Sequence, residues 1–80
     1  MYYVYILQSV NFLKQRYVGY SVNLKKRLKD HNSGYSKHTD KFRPWILLSY
    51  FAFNSKLTAK RFEYYLKTGS GRAFIKNHLV

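Results

Sequence analysis

Residue types and spacing single out a small set of side chains that could perform chemistry on a phosphate group. Asn23, Arg27 and His31 recur at every fourth position, so they share one face of a predicted helix. Tyr5 and Tyr17 lie on two predicted strands that precede this helix. A guanidinium binds two phosphate oxygens at once, and a phenol or an imidazole can relay a proton. If the strands bring both tyrosines to that helix face, the side chains form a candidate phosphate site.

The same residues also have a purely structural interpretation. Spacing alone favours a solvated basic helix face, whose long side chains lie along the surface. Residue type alone favours Tyr5 and Tyr17 as core rings with satisfied hydroxyls. Glu63, the one glutamate of the chain, can be a surface partner of Lys67 at the i,i+4 spacing. Both interpretations stay open at this point.

The net charge of the chain indicates a polyanionic partner. The 80 residues include 15 Lys and Arg against 3 Asp and Glu, a formal net charge of +12. Self-repulsion at this charge density destabilises a compact chain, so an anionic partner explains it well. Nucleic acid is the first candidate and an anionic membrane surface the second. The predicted nucleic-acid contacts are cations of the first helix and the following loop, namely Lys25, Lys26, Lys29, Lys37 and Arg43.

Composition excludes several other classes of protein. The chain has no cysteine, which excludes a disulfide framework and a zinc site with thiolate ligands. The sequence shows no basic leader and no apolar run of about 18 residues, so it predicts neither an export signal nor a membrane span. We therefore expect a cytoplasmic protein. Asp30, Asp40 and Glu63 are the only side-chain carboxylates available for a metal ion.

Hydrophobic periodicity predicts one α+β domain over residues 1–80, with a small, largely antiparallel three-stranded sheet flanked by helices. The predicted order is β-β-α-β-α-α. Strands are predicted at 2–7, 15–20 and 45–53, and helices at about 22–32, 57–67 and 70–79.

Local signals add detail to these elements. Ser21 and Ser70 are the predicted N-caps of the first and last helices, and Gly69 is predicted to close the second. The third strand is apolar almost throughout, which predicts a strand covered on both faces and hence central or packed by helices. The basic stretch 34–43 is long for a small domain and favours a functional loop, in which Tyr35 is a candidate for base stacking.

The segments around the candidate residues resemble the GIY-YIG nuclease superfamily. Tyr3-Val4-Tyr5 followed by Tyr17-Val18-Gly19 is similar to the paired motif of that superfamily, and Arg27, His31 and Glu63 follow in register. The stretch 18–28 is similar to the nuclease domain of the bacterial excision-repair protein UvrC, which associates the family with DNA repair. The stretch 66–74 resembles the small single-domain bacterial members. The resemblance covers essentially the whole chain.

This resemblance implies a metal-dependent endonuclease that hydrolyses phosphodiester bonds, with DNA favoured over RNA. Glu63 would be the metal ligand, for Mg²⁺ or Mn²⁺, and Arg27 would hold the scissile phosphate. Tyr5 and Tyr17 would bind and activate the attacking water, with one of them as general base. His31 would assist proton transfer. One carboxylate can be enough for Mg²⁺, because this ion keeps several waters and also takes substrate oxygens.

The sequence departs from the superfamily pattern at three positions, and rival functions remain. Tyr3 stands where the first motif usually has glycine, Tyr20 stands where UvrC-type members have lysine, and Asn77 is two positions from where an asparagine often follows the glutamate. The main alternative is a nucleic-acid-binding module with the same fold that cleaves nothing. A third is a protein-interaction domain whose charge only keeps it soluble. A partner protein could supply specificity, because the chain has no room for a separate DNA-binding domain.

Overall fold

The computed structural model describes residues 1–80. The chain begins with an antiparallel hairpin. Its three strands and three α-helices follow the predicted order β-β-α-β-α-α. The elements are β1 (Tyr2–Ser9), β2 (Arg16–Ser21), α1 (Leu24–Ser33), β3 (Trp45–Phe53), α2 (Lys56–Leu66) and α3 (Gly69–His78), with a short 3-10 turn at Asp40–Phe42. The predicted α+β fold class is confirmed.

The sheet has the strand order β2-β1-β3, and both pairs are antiparallel. In this register Tyr5 lies opposite Gly19 on one side and Tyr50 on the other. β1 is therefore the central strand, and β2 is an edge strand that carries Tyr17.

The alternation of β1 divides the core between the two faces of the sheet. Val4 and Ile6 are fully buried on the face that α2 and α3 cover, where they pack with Ala59, Leu66 and Ile75. Tyr5 and Leu7 point to the other face and pack with Trp45 and with leucines of α1. Tyr5 is thus separated from Val4 and Ile6, because successive side chains of a strand point to opposite faces.

Of the two alternatives predicted for the third strand, packing by helices is confirmed, because β3 contacts both α1 and α2. A central position is not, because β3 is an edge strand. Its pairing with β1 shifts register between Ile6 and Leu7, which is a β-bulge. Trp45 and Leu47 therefore face α1, whereas Phe51 and Phe53 face α2. A bulge changes which face successive residues occupy, so an apolar run can serve two cores in turn and need not be covered on both faces at once.

Three predicted helix caps, at Ser21, Gly69 and Ser70, were wrong. Ser21 precedes the true N-cap of α1, Asn23, whose side chain accepts a hydrogen bond from the Lys26 amide. Thr68, and not Ser70, caps α3 by accepting from the Gly71 amide, so Gly69 begins that helix. An N-cap needs an extended backbone as well as a side-chain acceptor, and this backbone geometry is set by how each helix meets the sheet.

Candidate functional site

A chain of three buried side chains forms the centre of the site. The Tyr5 hydroxyl lies 2.9 Å from Nε2 of His31, and Nδ1 of His31 lies 2.7 Å from Oγ1 of Thr39. All three residues are almost completely buried. β1, α1 and the loop after α1 each contribute one residue, so the site exists only in the assembled fold.

The hydrogen bonds of Thr39 assign the tautomer of His31. The Thr39 hydroxyl donates to the Ser36 carbonyl oxygen at 3.3 Å, so it accepts from Nδ1–H of His31. Nε2 is then the unprotonated nitrogen, and it accepts from the Tyr5 hydroxyl. Tyr5 is thus held as a hydrogen-bond donor to a neutral imidazole.

Tyr17 completes an aromatic cluster with these residues at the edge of the sheet. Its ring centroid lies 4.8 Å from that of His31 and 6.2 Å from that of Tyr5. Tyr17 is half-buried, and its hydroxyl makes no hydrogen bond within the protein. A polar atom without a protein partner at a partly exposed residue is open to water, so this hydroxyl is available to a ligand.

Gly19 makes room for the cluster. A Cβ built at this position would overlap the hydroxyl and ring of Tyr5, and it would lie 2.9 Å from Cε2 of Tyr17. The glycine of the second motif is therefore required by the close approach of two rings. Tyr3 does not crowd the cluster, because its ring packs against Tyr50 on the β3 side of the sheet, at 6.0 Å between centroids.

The Arg27 guanidinium extends the cluster towards solvent. Its side chain is 36% exposed and forms an ion pair with Asp30 at 3.5 Å. Burial raises the pKa of Tyr5 above its ordinary value of 10.0, and the hydrogen-bonding guanidinium of Arg27 opposes this shift. Burial outweighs the cation, so Tyr5 stays a protonated donor at neutral pH.

The pKa of His31 shifts in the direction that keeps its ring neutral. Burial lowers the pKa of His31 below its ordinary value of 6.5, and the positive charge of Arg27 lowers it further, against the opposing charge of Asp30. A neutral imidazole at pH 7 agrees with the tautomer that the hydrogen bonds assign.

Glu63 lies on α2, across the sheet from α1, and its negative charge still raises the pKa of Tyr5. Its carboxylate makes no hydrogen bond to the cluster. Instead its two oxygens pair with Lys60 at 3.4 Å and with Lys67 at 2.9 Å, and its side chain is 15% exposed. The structure thus contains the i,i+4 ion pair of the structural interpretation, although the carboxylate is largely covered.

The predicted nucleic-acid contacts are all exposed, but they are not equally free to bind a phosphate. Lys26 pairs with Asp30 at 3.3 Å, and Arg43 pairs with Asp40 at 3.0 Å. The cations without an ion-pair partner are Lys25, Lys29 and Lys37. Tyr35, the candidate for base stacking, is 83% exposed.

Sequence reasoning missed Thr39 and Asn32. Thr39 fixes the His31 ring, and its carbonyl oxygen accepts from Nε1 of Trp45 at 2.9 Å. The Asn32 amide pairs with both backbone groups of Trp45, which anchors the end of the loop to α1. A threonine and an asparagine in a polar stretch have no periodicity, so no local signal marked them.

Two further observations concern binding partners. The fold contains no group of three or more His, Cys, Asp or Glu side chains arranged to hold a metal ion. No helix of the chain is both long enough and apolar enough to span a bilayer.

Comparison with known proteins relates this geometry to characterised folds. A family model described as the GIY-YIG catalytic domain matches residues 1–77. A UPF0213 protein of Staphylococcus haemolyticus is 37% identical over 92% of this chain and 89% of its own length. A UPF0213 protein of Pediococcus acidilactici is 38% identical over 94% of this chain and 78% of its own.

A solved structure agrees with these relatives. The solution NMR structure of a UPF0213 protein from Bacillus halodurans is 37% identical in sequence, with a TM-score of 0.57 over 96% of this chain and 82% of that chain. The matched range, 1–77, spans the two tyrosine motifs, the helix with Arg27 and His31, and the helix with Glu63. By sequence and by fold, this chain belongs to the GIY-YIG nuclease superfamily.

Proposed function

We propose that this protein is a divalent-metal-dependent endonuclease that hydrolyses phosphodiester bonds, with DNA favoured over RNA. The observation that carries the proposal is the cluster at the sheet edge, where an unbonded Tyr17 hydroxyl and the Arg27 guanidinium flank the Tyr5–His31 pair. A chain of net charge +12 attracts a polyanion to this cluster.

Arg27 is the residue that would bind the scissile phosphate. It is the cation next to the tyrosines, and a planar guanidinium can donate two parallel hydrogen bonds to a phosphate. As negative charge builds on the phosphate oxygens in the transition state, a fixed guanidinium stabilises it more than the ground state.

The two tyrosines would have different roles. Tyr17 has a hydroxyl free of protein partners and open to water, so it would contact the attacking water and is the better candidate for the general base. The Tyr5 hydroxyl donates a hydrogen bond to His31, and burial raises the pKa of Tyr5, so it would orient groups as a neutral phenol. His31, held neutral by burial, would accept and return a proton.

Glu63 fits a hard divalent cation by its chemistry. It is a carboxylate in a strongly basic protein, and Mg²⁺ or Mn²⁺ can complete its coordination with waters and substrate oxygens. Lys60 and Lys67, which now pair with it, have side chains that are 51% exposed and are free to move away. A bound ion would polarise the phosphate and neutralise charge on the leaving oxygen.

The Glu63→Gln variant tests the proposal. Glutamine keeps the size and one oxygen but removes the charge that a divalent cation requires, so metal-dependent cleavage of DNA should disappear. DNA affinity without metal should stay equal or rise slightly. Asp40→Asn is the matched control: it removes one carboxylate from an exposed ion pair outside the cluster, and cleavage should persist. If Glu63→Gln retains most of the wild-type activity, Glu63 is not the metal ligand.

The rival function is a nucleic-acid-binding module that does not cleave. The specific observation in its favour is that both oxygens of Glu63 are paired with lysines. Under this hypothesis the wild-type protein binds DNA but shows no cleavage with Mg²⁺ or Mn²⁺, and Glu63→Gln changes only the binding. Sequence specificity, on either hypothesis, would come from a partner protein.

A further inference from the structure

A groove with a volume of about 400 Å³ lies between the start of β2 and the α2–α3 pair. Four cations line it: Lys14 and Arg16 from the hairpin, Lys67 from the end of α2, and Arg72 from the first turns of α3. None of these residues was among the predicted nucleic-acid contacts. Tyr17 lies on the same wall, so the groove adjoins the aromatic cluster.

Three of the four groove cations have no acidic partner within the protein. No carboxylate lines the groove. Asp30 and Asp40 form ion pairs on and after α1, and only Lys67 has an acidic partner, which is Glu63. Lys14 and Arg72 make no ion pair, and the one side-chain bond of Arg16 is to the neutral Gln8 at 3.1 Å. Like charges that converge without counter-charge cost stability, and a bound anion would remove that cost.

We propose that this groove binds a backbone phosphate of the nucleic-acid strand, next to the phosphate held at the cluster. The inference rests on the proposed function, because Tyr17 is shared by both places. The nucleic-acid strand would cross the outer edge of β2, with the cations of α1 on one side and the groove on the other.

The charged part of the lining favours phosphate over a neutral base, and the apolar part consists of Tyr17, Val18, Leu66 and Ile75. Four cations supply charge and hydrogen-bond donors, which bind phosphate oxygens without reading sequence. Tyr17 is the single aromatic ring of the lining, so the groove offers little surface for base stacking. Its volume lies within the range of small-ligand sites, about 300–1,000 Å³, so it has space for a phosphate with its sugar.

The experiment measures binding of a fluorescein-labelled single-stranded DNA by anisotropy, without divalent metal, over a series of salt concentrations. The double variant Lys14→Gln, Arg72→Gln removes two groove cations that have no ion-pair partner. The matched control Lys56→Gln, Arg61→Gln removes two exposed cations of α2 that do not line the groove. Both variants are checked by thermal melting for an intact fold.

We expect the groove variant to bind about ten-fold more weakly than wild type at 0.1 M salt, with a log K against log salt slope that is flatter by about 1–2. The control should lose much less. If the groove variant has the same affinity and slope as the control, the inference is overturned. Because no cleavage is measured, this result is independent of the Glu63 test. If the groove variant loses binding but the wild-type protein never cleaves DNA, the groove inference is supported and the proposed nuclease function is refuted.

Discussion

Replacing Gly19 with alanine should destabilise the fold and disturb the candidate site in one step. Gly19 lies opposite Tyr5 in the β1–β2 register, and a methyl group there would overlap the Tyr5 hydroxyl. The backbone φ of Gly19 is not positive, so the effect is steric and not conformational. The Tyr5 ring must therefore move, and this displaces the hydroxyl that donates a hydrogen bond to His31.

The magnitude follows from three contributions. A glycine-to-alanine change in an unobstructed strand stabilises a protein by about 0.5–1 kcal/mol. Forcing a methyl group into packed surroundings costs about 1–3 kcal/mol, and losing the Tyr5–His31 hydrogen bond costs about 0.5–1.5 kcal/mol. Together these give an expected net loss of about 0.5–4 kcal/mol. Each kcal/mol lowers the Tm of a domain of this size by about 4–8 °C.

Thermal melting followed by circular dichroism measures the change in Tm, and DNA cleavage well below both Tm values measures the site. Gly69→Ala is the matched control, because a Cβ at this first residue of α3 meets no atom within 4 Å. Its Tm should equal or slightly exceed that of wild type. A Gly19→Ala protein that melts like this control and cleaves like wild type would refute the steric argument.

Three further predictions follow from the charges of the site and surface. Arg27→Ala should lower the cleavage rate about 10²-fold or more in single-turnover assays, because it removes a charge that stabilises the transition state. Its Tm should change little, because the side chain is partly exposed. Equal losses of rate and stability would give Arg27 a structural role. Because the pKa of His31 is lowered in the fold, the unfolded chain binds the proton more readily. The stability that His31 contributes should therefore be full above about pH 6.5 and be lost as the pH falls through the lowered pKa. Measurements of Tm against pH would detect this loss, and a His31→Gln variant should not show it. If about five phosphates are neutralised, a plot of log K against log salt for duplex DNA should have a slope of about −4 to −5. A slope flatter than about −2 would contradict a docking face formed by the five predicted contacts together with Lys41 of the basic stretch 34–43.

The element order and the faces of the hairpin were predictable from sequence because they depend on local periodicity. Alternation along β1 separates Tyr5 and Leu7 from Val4 and Ile6, and this separation needs no knowledge of partners. The helix caps at Asn23 and Thr68 were not predictable in the same way, because several neighbouring polar residues could have served as caps. The path of the chain onto the sheet selected among them.

The same distinction between local and tertiary information applies to the candidate site. Sequence alone selected the candidate residues for phosphate chemistry, through the two tyrosine motifs, the Arg27–His31 spacing, the single glutamate and the charge of +12. Only the tertiary structure decided that Thr39 orients His31, that Tyr17 and not Tyr5 has the free hydroxyl, and that four cations from three segments share one groove. The physical reason is distance along the chain: these contacts join residues that are remote in sequence, and they form only when the sheet and helices pack.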